Sequence, residues 1–164
     1  MFLIDGYNLL FASHREKIHS DELESARSGL VQLVSRYCSL ENARARIVFD
    51  HTKGAPIWGI PGRTKTGPVE VVYTPRGVIA DDEILRMVKK AGDRTAYTVV
   101  TNDRGISDVV KKRQVRVIPS HTFLKEMQKA VSASKGESED PREKSEGLLP
   151  GDVDYWMKEF GLDE

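Results

Sequence analysis

Four short apolar runs in this chain each lead into acidic residues, and that pattern limits the possible folds more than any other feature. Residues 1–4 run into Asp5, residues 46–49 into Asp50, residues 69–74 lead towards Asp81 and Asp82, and residues 97–102 into Asp103. Short runs rich in Val, Ile and Phe read as buried strands. Segments with helical spacing separate them, and strands alternating with helices predict a parallel sheet covered on both faces. Ligands of such folds sit beyond the carboxyl ends of the strands, so the acids would meet there.

The rest of the chain fits this plan. A short helix is expected over 7–12 and a long one over 21–38, with Asp21 as N-cap and Glu24 in the capping-box position. Leu23, Ala26, Leu30, Leu33, Val34, Tyr37 and Cys38 follow helical spacing and give that helix one apolar face. Strands over 47–49, 69–73, 97–100 and 115–118 complete a sheet of about five, with helices over 82–90 and about 104–112 between them. Ser120 is placed to cap a last helix carrying Phe123, Leu124, Met127 and Val131. Residues 51–68 read as a loop, with five glycines and prolines between Gly54 and Gly62. A loop of this length inside a compact domain is functional or disordered.

These elements form one unit over 1–131. Residues 132–147 turn to Ser, Gly, Lys and Glu with no large apolar residue, which is linker composition. In 148–164, Val153, Trp156, Met157 and Phe160 fall at helical spacing, giving an amphipathic helix that docks on the domain or on a partner. With 164 residues and 39% hydrophobic content, the chain can bury one core and hardly two. Lys plus Arg and Asp plus Glu balance at 25 each, which excludes a strongly basic chain, so any polyanion must be held locally. The one cysteine, Cys38, excludes an internal disulfide and a thiolate zinc site, and it belongs to a helix's apolar stripe. The apolar start is too short for a signal peptide and no run reaches membrane-spanning length, so a cytoplasmic protein is expected.

Carboxylates gathered at one sheet edge repel each other and resist burial, so they require protonation or a bound cation. A hard divalent ion, Mg²⁺ or Mn²⁺, suits oxygen-only ligands, and attack on a phosphodiester is the chemistry such ions most often serve. Each acid also has an ordinary use. Asp5 is either a metal ligand or a helix cap, and Gly6 after it permits a sharp turn or the close approach of a ligand. Asn8 could orient Asp5 or contact a phosphate, and Asn102 beside Asp103 is a second candidate substrate contact. Asp81 and Asp82, with Glu83 next to them, exceed what one cap needs. Asp103 could cap its own helix, Asp108 reaches the cluster's edge or faces solvent, and Asp50 supports the site from behind or starts the long loop. In the expected mechanism Asp5, Asp81 or Asp82, and Asp103 hold one or two ions, which lower the pKa of an attacking water and neutralise charge on the phosphate.

Residues 51–69 contain no acid, while Lys53, Arg63 and Lys65 are spread among glycines, with Trp58 available to stack on a base. Single-stranded nucleic acid would need such a segment. The plainer account is a solvated loop with Trp58 packed on the core. His14, His19, His51 and His121 show no metal-ligand spacing and look incidental.

Asp5, Gly6, Tyr7, Asn8, Leu9 and Leu10, then Val48, Phe49 and Asp50, then Ala80 to Ile84, then Val100 to Arg104 make the chain similar to the NYN family of PIN-like ribonucleases, in its bacterial YacP-like branch. The motifs run in the family's order across about residues 1–131, and the Trp156 helix is similar to that branch as well. The resemblance implies a PIN-like three-layer α/β sandwich and a divalent metal, Mg²⁺ or Mn²⁺, on Asp5, Asp81, Asp82 and Asp103, with Asp108 as an outlying ligand. It implies endonucleolytic cleavage of RNA. The branch is linked to messenger RNA decay, which would make the ribosome a partner. The rival reading is an RNA-binding or ribosome-associated module without catalysis. A haloacid dehalogenase-type phosphatase would need an acid where Tyr7 stands, and Gly6, Tyr7 and Asn8 do not make a dinucleotide-binding turn.

Overall fold

Leu3 and Ile4 are both fully buried yet point to opposite faces, as neighbours on a strand must, and this places the first strand inside a covered sheet. The computed structural model describes residues 1–13, 18, 19, 21–51 and 62–136. In chain order the elements are β1 (Phe2–Asp5), α1 (Gly6–Ser13), α2 (Leu23–Leu40), β2 (Ala45–Phe49), β3 (Arg63–Thr66), β4 (Val69–Tyr73), α3 (Ala80–Lys90), β5 (Thr98–Val100), α4 (Arg104–Lys112), β6 (Arg116–Ile118) and α5 (Ser120–Gly136). The six strands are ordered β3-β4-β2-β1-β5-β6. Every pair is parallel except β3 with β4.

Alternation along the strands divides the apolar residues into two cores and so makes three layers. Ile4, Ile47, Phe49, Val71 and Val100 face α1, α2 and α5, where they meet Leu10, Leu30, Val34, Phe123 and Met127. Leu3, Val48, Val72 and Val99 face the other way, onto Ile84, Met87 and Val88 of α3 and Ile106 and Val110 of α4. The expected three-layer sandwich is therefore present. Cys38 is fully buried on the first face, where desolvation pushes its thiol up to about 11, so it packs as an apolar residue. No helix among the described residues is long and apolar enough to cross a membrane.

The sheet has one strand more than expected. Arg63, Thr64, Lys65 and Thr66 include no apolar residue and so read as loop in the sequence, yet they form β3 with all four exposed. Backbone pairing holds β3 to β4, through a Gly67-Pro68 turn in which Gly67 has φ 55°. A two-residue hairpin needs that left-handed geometry, which glycine adopts without a Cβ penalty. The cations on this edge strand also discourage pairing with other chains.

Helix ends differ as well. Glu22 rather than Asp21 is the N-cap residue of α2, without a side-chain cap bond; its carboxylate accepts from His19 N at 3.4 Å instead. Ser120 lies inside α5, and that helix continues past 131 to Gly136, so 132–136 are helical rather than linker. The remaining expected linker and the Trp156 helix lie outside the described residues.

Candidate active site

The strand order reverses at β1. From there the chain builds β2 and β4 on one side, then returns to place β5 and β6 on the other. The crevice between the carboxyl ends of β1 and β5 is thus the topological switch point, the usual ligand position in a sheet of this kind. Asp5 closes β1 and Asn102 and Asp103 follow β5. Thr74 N donates to Phe49 O at 3.0 Å, carrying β4 past the same edge towards the start of α3 with Asp81 and Asp82.

Asn8 ties the crevice together. Its backbone N–H donates to Asp5 Oδ1 at 3.2 Å. Its side-chain Oδ1 accepts from Asn102 N at 2.8 Å and from Ser120 Oγ at 2.7 Å, joining the ends of β1, β5 and β6. Asn102 Oδ1 accepts in turn from Ser120 N at 2.8 Å and lies 3.3 Å from His121 Nδ1. Both asparagines therefore spend their carbonyl ends on the scaffold, and the clasp leaves their NH₂ ends outside it.

The acids divide by what they already do. Asp5, 8% exposed, caps the first turn of α1 through Asn8 N. Exposed Asp103 caps α4, its Oδ1 accepting from Ile106 N at 3.0 Å, while its own N–H donates to Thr101 Oγ1 at 3.0 Å. Asp81 is half-buried and Asp82 exposed; the N-cap position of α3 belongs to Ile79, so both acids stand in the first turn beside the positive end of the helix dipole. Glu83 turns away and pairs with Arg86, whose hydrogen bond holds its carboxyl below the ordinary 4.5 against the opposing effect of burial. Asp50 is buried behind the edge, and Asp108 is exposed on α4.

Among the described residues, no three His, Cys, Asp or Glu side chains are drawn together to hold one ion. The donors still suit Mg²⁺ or Mn²⁺ in type. Hard carboxylate oxygens from Asp5, Asp81, Asp82 and Asp103 stand at one sheet edge, and Mg²⁺ commonly takes only one or two carboxylates, with water and substrate phosphate supplying the rest.

A family model for the YacP-like NYN domain matches residues 2–155. The chain belongs to the YacP-like NYN family. Two crystal structures of Rae1 (YacP) from Bacillus subtilis are similar to it in fold. One, of a tryptophan-to-leucine variant, is 22% identical with a TM-score of 0.67 over 98% of this chain and 96% of that chain. The other is 22% identical with a TM-score of 0.66, over 84% of this chain and 78% of that chain. No curated protein matches the chain. Its fold is thus of the type found in PIN-like nucleases.

Within this YacP-like NYN domain, the expected cations fall partly on a strand. Arg63 and Lys65 belong to edge strand β3, opposite Val72 and Glu70. Lys53 and Trp58 lie outside the described residues. Ser120, expected only as a helix cap, and His121, expected to be incidental, both bond to the asparagine clasp at this edge. Sequence reasoning passed over Arg27, 3% exposed, which donates to Tyr7 OH at 2.8 Å and lies 5.9 Å from the centre of the Tyr73 ring. Burial raises the Tyr7 hydroxyl's pKa, and Arg27 opposes that shift. An arginine on an apolar helix face was the available signal.

Proposed function

We propose that this YacP-like NYN protein is a cytoplasmic, divalent-metal-dependent endoribonuclease that cleaves single-stranded RNA, with messenger RNA as substrate and the ribosome as the setting. The observation that carries the reading is the placement of Asp5 and Asp103 on either side of the switch point, with Asp81 and Asp82 starting a helix at the same edge. In this reading Asp5, Asp81, Asp82 and Asp103 hold the ion, and Asp108 bounds the site on α4. Mg²⁺ or Mn²⁺ would supply an activated water and charge neutralisation at the phosphate. The chain's own residues do the positioning. Asn8 fixes the ends of β1, β5 and β6 relative to one another, and the NH₂ groups of Asn8 and Asn102 are donors for phosphate or ribose oxygens. Capping bonds from Asn8 N and Ile106 N hold the Asp5 and Asp103 carboxylates in place.

A cleavage assay on a defined single-stranded RNA, with Mg²⁺, Mn²⁺ or chelator, tests this. Cleavage should require the metal, and Asp5→Asn and Asp103→Asn should each lower it at least ~100-fold while the fold persists, since Asn still accepts a capping bond. Cleavage by both variants at the wild-type rate would remove the proposed roles. The reading of a non-catalytic RNA-binding or ribosome-associated module draws on one observation: both carboxylates already serve as helix caps.

A further inference from the structure

On the α3 side of the sheet, a row of side chains crosses β1, β2, β4 and β3 and changes character along its length. Leu3 is opposite Arg46, Arg46 opposite Glu70, and Glu70 opposite Lys65. The apolar core ends at Leu3 and Val72, and beyond it the sheet faces a groove of about 190 Å³ beside α3. Arg46, Arg63, Arg86 and Lys90 line this groove, with Met87 and Tyr97. Glu70 accepts from Arg46 Nε at 2.5 Å and lies 3.5 Å from Arg63 Nη1, while Glu83 pairs with Arg86. Lys90 has no carboxylate ion-pair partner among the described residues. Four cations thus meet two carboxylates, in a chain whose net charge is zero.

Arg46 and Glu70 form a part-buried pair that belongs to the fold, whereas Arg63 and Arg86 are exposed. Exposed ion pairs contribute about 0–1 kcal/mol each, so folding alone does not account for these two arginines along one groove. Each guanidinium has five N–H donors and the two carboxylates engage only some of them. The groove also has a direction. On α3, Asp82, Arg86 and Lys90 recur every fourth residue and are all exposed. At 1.5 Å per residue, Arg86 is about 6 Å and Lys90 about 12 Å along the axis from Asp82. A surface that starts at the acidic edge therefore becomes cationic within two turns.

We infer that this groove binds the phosphodiester backbone of a single RNA strand, with Arg46, Arg63, Arg86 and Lys90 contacting phosphates along it. Tyr97, half-buried in the groove lining, offers its ring to a base. The inference rests on the nuclease reading for the identity of the polyanion and adds the path that polyanion takes.

The test is binding of a fluorescently labelled oligouridylate to the full chain in chelator, over a series of salt concentrations, so that cleavage plays no part. For single strands, log K falls with log salt by about 0.7 per phosphate contact. Arg86→Gln with Lys90→Gln should lower that slope by about 1.4 and weaken binding roughly tenfold near 0.1 M salt. Lys111→Gln with Lys112→Gln, the same charge change at the end of α4, should leave both unchanged. If the first pair does not fold, Lys90→Gln alone should lower the slope by about 0.7. An unaltered slope, equal losses at the two pairs, or no binding by the wild-type chain would each overturn the inference. Failure of the catalytic reading shows separately, as continued cleavage by the aspartate variants.

Discussion

Gly6 stands between β1 and α1 for a reason that its position beside an acid only partly indicated. A Cβ there would lie 2.6 Å from two carbons of the Phe49 ring and 3.0 Å from Ile47 Cγ2. Close packing of α1 on β2, rather than space for a ligand, requires glycine. Gly6→Ala should therefore destabilise the fold by about 1–3 kcal/mol through overpacking, read as a lower urea midpoint; an unchanged midpoint would contradict this. Asn8 joins segments 94 and 112 residues away, and nothing in a local window announces such partners. Removing its carbonyl leaves the Asn102 N–H and the Ser120 hydroxyl without that acceptor. Asn8→Ala should cost about 1–3 kcal/mol, whereas Asn8→Asp, which keeps an acceptor oxygen, should cost less. Thermal unfolding of the two variants gives the comparison, and equal losses would show that the clasp contributes nothing. The acids at strand ends were legible because a strand's end is a local pattern. Their second occupation as caps was legible too, as an alternative that Asn8 N and Ile106 N realise.

Helix α3 shows how one element serves both ends of the account. Its first turn carries Asp81, Asp82 and Glu83 and its last turn Lys89 and Lys90, each favourable at its end of the dipole. Glu83 is the member that titrates with a defined sign. Its folded pKa lies below 4.5, so its contribution is complete above that pH and disappears as pH falls through the folded value. Glu83→Gln should lose up to about 1 kcal/mol at neutral pH, and the gap to wild type should close in acid. Urea unfolding at pH 7 and pH 3 measures the gap; one that stays constant would place the effect elsewhere. The groove beside α3 could not be read from sequence, since Arg46, Arg63, Arg86 and Lys90 come from three elements and only pairing registers bring them together. Strand β3 was missed for a related reason: its pairing is backbone-driven and its side chains carry no alternation.

At the scale of the molecule, alternating strands and helices were enough to expect a parallel sheet covered on both faces, because burial on each side leaves a periodic mark in the sequence. Strand order leaves none. The reversal at β1, which selects one crevice along the whole carboxyl edge, emerges only from the pairing of β1 with both β2 and β5. It turns a set of strand-end acids into a candidate site with Asp5 on one side and Asp103 on the other. The central claim is that these two carboxylates share an ion there. Titration of Mn²⁺ into the full chain, followed by loss of the free-ion electron paramagnetic resonance signal, tests it without any RNA. The wild-type chain should bind Mn²⁺, and the double variant Asp5→Asn with Asp103→Asn should bind at least ~10-fold more weakly with its fold retained, because ligand charge sets affinity at such sites. Equal Mn²⁺ affinity in the two proteins would contradict the claim.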